Sequence, residues 1–117
     1  MAPDKDLERL FESVAGFFGL LAEPTRLKIL SALCDGERSV GEVVQSVAST
    51  QTSVSRHLNL MYAKGVLNRR RKGQQTFYSV ADPATVELCR TVCVHIASVA
   101  DGQSVSSRTL RRFMPNA

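Results

Sequence analysis

Between Val44 and Ala81 the chain carries six basic side chains, Arg56, Lys64, Arg69, Arg70, Arg71 and Lys72, and not one carboxylate. The 43 residues before it hold eight acids against five bases. Inside the acid-free stretch the apolar pattern changes character. Up to Gly65 it repeats with helical spacing, and after Gly65 two short runs flank Lys72-Gly73 as strands flank a tight turn. A fold that accommodates this stretch is a helix followed by a basic hairpin, with no acid to repel a polyanion.

The elements around it follow from periodicity and end signals. Leu7, Leu10, Phe11, Val14, Phe17, Phe18 and Leu21 make one stripe of a long first helix. A second helix begins at Pro24, buries Leu27, Ile29, Leu30 and Leu33, and stops at Gly36. Ser39 and Glu42 stand at capping-box spacing before a short third helix with Val40, Val43, Val44 and Val47. Thr50 caps a fourth helix, which ends at Gly65. "VLNRRR" and "QQTFYSV" form the hairpin, and Asp82-Pro83 opens a fifth helix reaching about Asp101.

The expected fold is therefore mainly α with a small β-hairpin, in the order α-α-α-α-β-β-α. Two short helices, a tight turn and a basic hairpin make a winged helix-turn-helix. At 117 residues the chain has room for one modest core, so residues 1–101 are read as one domain and residues 102–117 as a basic, loosely ordered tail. "MAPDKDLERL" is charged where an export signal turns apolar, and no run approaches a membrane span, so no membrane partner is expected. Three cysteines outside any disulfide framework suit free thiols in the cytoplasm. There is no phosphate loop or zinc-hydrolase motif, and neither histidine has an evident nucleophile partner, so the chain is not read as an enzyme.

The fourth helix divides into two faces. Val54, Leu58 and Met61 form its buried stripe, while Thr52, Ser55, Arg56 and Asn59 present short polar groups and one arginine. Arginine can take guanine bidentately, and the others can reach base edges or phosphates of double-stranded operator DNA. Amides at Gln51–Ser53 add a phosphate-binding helix end. Arg69, Arg70 and Arg71 alternate along a strand, so the three cannot share one groove. Arg70 is assigned to DNA, with Lys72 and Gln74 at the hairpin tip.

"LAEPTRLKILSAL", "SVGEVVQSVASTQTSVSRHLNLMYAKGVL" and "RRRKGQQTFYSVAD" resemble successive motifs of the ArsR/SmtB family of bacterial winged-helix repressors, over about residues 15–98. The resemblance implies a homodimer through the first and fifth helices that leaves its operator when an inducer binds. It places Gln51, Thr52, Ser53, Ser55, Arg56 and His57 at the family's recognition positions.

The resemblance also implies where a sensor could lie. The family's third-helix Cys-Val-Cys site falls on Ser39-Val40-Gly41, which has no thiol. Its fifth-helix zinc site falls on Asp82, Ala84, His95 and Ser98, which keeps two of four ligands. No cofactor is required by this reading. Cys89 and Cys93 remain, four apart on one helix face, with Cβ atoms about 5–6 Å apart. That spacing suits a thiophilic ion, trivalent arsenic or a soft divalent metal, better than a disulfide. Cys34 would supply a third thiol, or a redox bridge for a reactive sulfur species or oxidant. Family members that sense such species pair one thiol from each of these helices, with the second-helix cysteine nearer the position of Ser31. Against sensing stands the burial of free cysteines in ordinary cores and interfaces. A constitutive DNA-binding protein with inert thiols, and a thiol metal-binding protein without DNA work, are the alternatives.

Overall fold

The computed structural model describes residues 4–99. Its elements run α1 (Lys5–Leu21), α2 (Pro24–Leu33), β1 (Arg38–Ser39), α3 (Val40–Val47), α4 (Gln51–Ala63), β2 (Leu67–Lys72), β3 (Gln75–Val80) and α5 (Pro83–Val99). The expected end of the fifth helix at Asp101 and the tail from 102 lie outside the described residues. No helix among those described is long and apolar enough to cross a membrane.

The helix starts follow from local chemistry. Ser39 Oγ accepts from the Glu42 amide at 3.2 Å while Glu42 Oε1 accepts from the Ser39 amide at 3.0 Å, closing the capping box. Thr50 Oγ1 takes the Ser53 amide at 3.1 Å, and Asp82 Oδ1 takes the Ala84 amide at 2.9 Å. Asp4 caps α1, and Glu23, which sequence periodicity did not single out, caps α2 through the Arg26 amide. The turn from α3 to α4 passes through Ala48, whose left-handed φ of 51° ends α3 and redirects the chain into α4 within three residues.

The expected two-stranded wing is the larger part of a three-stranded antiparallel sheet in the order β1-β3-β2. Strand β1 is only two residues long, too short to leave a periodic signal, and pairs Arg38 with Tyr78 and Ser39 with Phe77. In the wing Lys72 pairs with Gln75, so Gly73, at φ 63°, occupies the first central position of a two-residue turn.

Ile29, Leu30, Leu33, Val43, Val54, Leu58, Met61 and Leu67 are all but inaccessible and form the centre of the core. They come from α2, α3, α4 and the first wing residue, so the core holds the helix-turn-helix and the wing as one body. The stripe on α1 behaves differently. Leu21 is buried and Phe17 half-buried, but Leu7, Leu10, Phe11, Val14 and Phe18 lie exposed. Val92, Val94, Ile96 and Val99 of α5 are exposed as well. The amphipathic pattern formed the helix, yet one chain alone does not bury it.

Candidate nucleic-acid interface

Helix α4 is anchored by Val54, Leu58 and Met61, each fully buried. That anchoring leaves Gln51, Thr52, Arg56 and Asn59 exposed and Ser53 and Ser55 half-buried, on a helix that carries no acid. His57 turns the other way. It is half-buried, its Nδ1 lies 3.3 Å from Arg26 Nη1, and its Nε2 lies 3.9 Å from Glu23 Oε2. The family resemblance placed His57 at a recognition position. The structure sets its ring against the start of α2, away from the exposed polar face, because two charged partners meet it there.

The wing adds a second surface beside α4. Arg69 pairs with Tyr78 and Arg71 with Thr76 across the hairpin, and these four side chains line a groove of about 450 Å³ with Ser55 and Asn59 of α4. The Arg69 guanidinium stacks over the Tyr62 ring, 4.0 Å from its centroid. Tyr78 donates its hydroxyl to Asn59 Oδ1 at 3.2 Å and thereby joins wing to helix. Lys72 stands exposed as the last residue of β2 and Gln74 as the second residue of the turn, which lies at Gly73-Gln74 rather than at the expected Lys72-Gly73.

Arg70 departs from its assignment. Strand alternation puts it on the opposite face from Arg69 and Arg71, where Glu37 takes its Nη2 at 2.6 Å and its Nε at 3.0 Å. Its guanidinium also lies over Phe77. The Arg70 hydrogen bonds hold the Glu37 carboxyl below its ordinary range against the opposing effect of burial, and raise Arg70 in turn. Arg69 and Arg71 are thus the wing arginines that share the α4 face. The signal for them was available as period-two spacing, but the strand alone does not say which face meets α4.

The thiols are distributed over two places. Cys89 is buried and Cys93 half-buried at an apolar cleft of about 200 Å³ between α1, α2 and α5, lined also by Phe18, Leu21, Leu27, Leu88 and Val92. Cys34 instead borders a cavity of about 550 Å³ beside Asp35, Glu87 and Arg90, and its Sγ lies 3.0 Å from the Ser31 carbonyl oxygen. Among the described residues no three His, Cys, Asp or Glu side chains are gathered to hold a metal ion. The three cysteines therefore do not form one ligand set within a chain. Burial pushes all three thiols above their ordinary value; Cys93 adds to the rise at Cys89, and Asp35 to that at Cys34.

Residues 23–69 match the family profile described as bacterial regulatory protein, arsR family. The chain is 40% identical over 77 residues to a probable mercury resistance operon repressor of Streptomyces lividans, covering 66% of this chain and 62% of that protein. It is 39% identical over 82 residues to the HTH-type transcriptional regulator Rv0081 of Mycobacterium tuberculosis, covering 69% of this chain and 72% of that protein. The crystal structure of Rv0081 superposes with a TM-score of 0.70 at 35% identity, over 77% of this chain and 91% of the other. The solution structure of the homodimeric winged helix-turn-helix domain Mb0332 from Mycobacterium bovis gives 0.76 at 25% identity, over 88% and 95%. With the helix-turn-helix, the wing and these relatives in agreement, the chain belongs to the ArsR family of bacterial regulatory proteins.

Proposed function

We propose that this protein is a homodimeric repressor that binds operator DNA through the exposed face of α4 and the Arg69/Arg71 face of the wing. The observation that carries the reading is the acid-free groove in which Ser55 and Asn59 of the helix meet two wing arginines. Small polar groups beside paired guanidiniums match base edges next to phosphates. Residues 1–101 form the working domain in this reading. The homodimeric relative and the exposed apolar side chains of α1 and α5 support pairing through those helices, so that two copies of α4 reach successive major grooves about 34–36 Å apart. The test is selection of duplexes from a random-sequence pool by the wild-type protein, followed by titration at several salt concentrations. A two-fold-symmetric site with a steep salt slope supports the reading. Recovery of no preferred sequence overturns it.

We further propose that the inducer acts at Cys89 and Cys93, as a thiophilic metal or metalloid or a reactive sulfur species. The two thiols lie on one face of α5 where that helix meets α1, and a relative is named for mercury resistance. A ligand there would shift the dimer geometry, and about 1–3 kcal/mol of preference for the non-binding arrangement suffices for release. The rise of all three thiols above their ordinary value favours a second reading, a constitutive repressor with inert cysteines. Native mass spectra of the reduced protein with arsenite, mercuric ion, zinc or an organic polysulfide separate the two. A mass shift lost in Cys89→Ser/Cys93→Ser, with release of DNA, supports sensing, and no shift with any of them supports the constitutive reading.

A further inference from the structure

His57 would be an ordinary half-buried histidine were it not for what Arg26 does with its other donors. Arg26 Nε donates to the carbonyl oxygen of Leu20, in the last turn of α1. Its Nη1 meets His57 Nδ1 on α4 at 3.3 Å. Its own backbone amide donates to Glu23 Oε2 at 2.9 Å, and that same carboxylate oxygen stands 3.9 Å from His57 Nε2. One guanidinium therefore spans α1 and α4, and the cap of α2 faces the far side of the same imidazole. A guanidinium has donors only, so a hydrogen bond between the two is one that Arg26 donates and His57 Nδ1 accepts.

The position of this link along α4 gives it consequence. His57 directly follows Arg56, the exposed arginine of the candidate reading face, and precedes Leu58, which is fully buried. The tie at His57 adds a polar restraint to a rotation of α4 that Val54, Leu58 and Met61 already set, at the turn that presents Arg56. The other end of the link is the carboxyl end of α1, the helix whose exposed apolar side chains point to subunit pairing.

We propose that Arg26 is a positioning residue for DNA recognition: by tying His57 to the Leu20 carbonyl, it makes the setting of α4 follow the setting of α1. This rests on the operator-binding reading above. Neither Arg26 nor His57 touches DNA in this arrangement. Both act through Arg56 and its neighbours, and a shift of α1 on inducer binding is passed to the reading helix through one side chain.

The experiment uses the full chain and a duplex selected by the wild-type protein from a random pool. His57→Leu removes the acceptor while filling the same half-buried space with an apolar group, so a purely structural role predicts unchanged or improved folding and unchanged operator affinity. The positioning role predicts about tenfold weaker specific binding, the scale of one lost charge-assisted hydrogen bond. His57→Asn, which returns an acceptor near the place of Nδ1, is expected to recover affinity to within about threefold. Arg26→Met should weaken binding by the same factor, and the double variant Arg26→Met/His57→Leu no further, because both remove one link. The salt slope should stay that of the wild type in every variant. Losses that add in the double variant, a loss confined to the His57 variants, or a salt slope lowered by about one, overturn the proposal in favour of direct DNA contact. Wild-type affinity throughout overturns it in favour of a structural role. If Arg26→Met does not fold, the His57→Leu and His57→Asn pair still decides. A wild-type protein that selects no duplex at all defeats the operator-binding reading instead, and the two failures are distinct.

Discussion

Glu37 holds Arg70 by two parallel hydrogen bonds, 2.6 Å to Nη2 and 3.0 Å to Nε, on the face of the wing opposite Arg69 and Arg71. An acid from the segment leading into β1 thus occupies the middle arginine of a run of three. The wing presents alternate arginines to the α4 groove and uses the one between to fasten itself to the segment before α3. A bidentate arginine–carboxylate pair is the geometry in which such an exposed contact has directional value.

The three arginines should separate in binding experiments. Arg69→Ala and Arg71→Ala are each expected to weaken operator binding several-fold and to lower the salt slope by about one, as loss of a phosphate contact does. Arg70→Ala should leave the salt slope unchanged, because its charge is already matched by Glu37. Titrations of the three variants at several ionic strengths check this. Equal slopes for Arg69→Ala, Arg70→Ala and the wild type would remove the face assignment.

Tyr78 is only 4% exposed, and its hydroxyl reaches Asn59 Oδ1. Tyr78→Phe should cost about 1 kcal/mol of stability, the usual worth of such a bond, measured by urea denaturation. It should also free the Asn59 carboxamide to rotate. The same variant is therefore expected to select a more degenerate duplex from a random pool while keeping the salt slope of the wild type.

The caps at Ser39, Thr50 and Asp82, the helix-turn-helix and the wing were legible in the sequence because their causes are local, whereas the caps at Asp4 and Glu23 were not read from it. Ser39 and Glu42 meet three residues apart, Thr50 meets an amide one turn on, and the stripe of Val54, Leu58 and Met61 follows from helical periodicity alone. What else could not be read depends on contacts between distant segments. Alternation separates Arg70 from Arg69 and Arg71, but the pairing of Arg69 with Tyr78 and the packing of Tyr78 on Asn59 decide which face meets α4. His57 was assigned from its place in a motif, and its direction is set by Arg26, 31 residues earlier. Strand β1 has two residues and no period to detect. The stripe on α1 was correctly apolar, yet periodicity does not say whether its own chain or another covers it.

That stripe gives a direct test of the dimer. Leu10 is 55% exposed and Ile96 58%, so neither contributes much to the core of a single chain. Leu10→Glu or Ile96→Glu would place a charge in an apolar interface if the two helices pair, and a buried unpaired charge costs several kcal/mol. Sedimentation velocity is expected to show a folded monomer for either variant at concentrations where the wild type is dimeric. Operator affinity should fall with it, since both half-sites are no longer held together. Retention of the dimer by both variants would locate the interface elsewhere.

The thiols make the last prediction, and its sign follows from burial. Desolvation, joined by Cys93 at Cys89, raises both groups above the ordinary thiol value of 9.0. In the unfolded chain these thiols ionise near that ordinary value, so between it and the folded value the folded state holds more protons. Stability is then fully present at neutral pH and declines as pH rises through that alkaline window. Cys89→Ala/Cys93→Ala should flatten the decline, read from denaturation midpoints between pH 8 and about 10.5. Alkylation by iodoacetamide at pH 7.5 should be slower in the folded protein than in urea, because the thiolate is the nucleophile and it is scarce. A soft metal would have to displace the protons, so its affinity should keep rising with pH across the same window. Rapid alkylation of the folded protein at neutral pH would mean that the cleft stabilises a thiolate, and would favour an oxidant or sulfur species over a metal as the inducer.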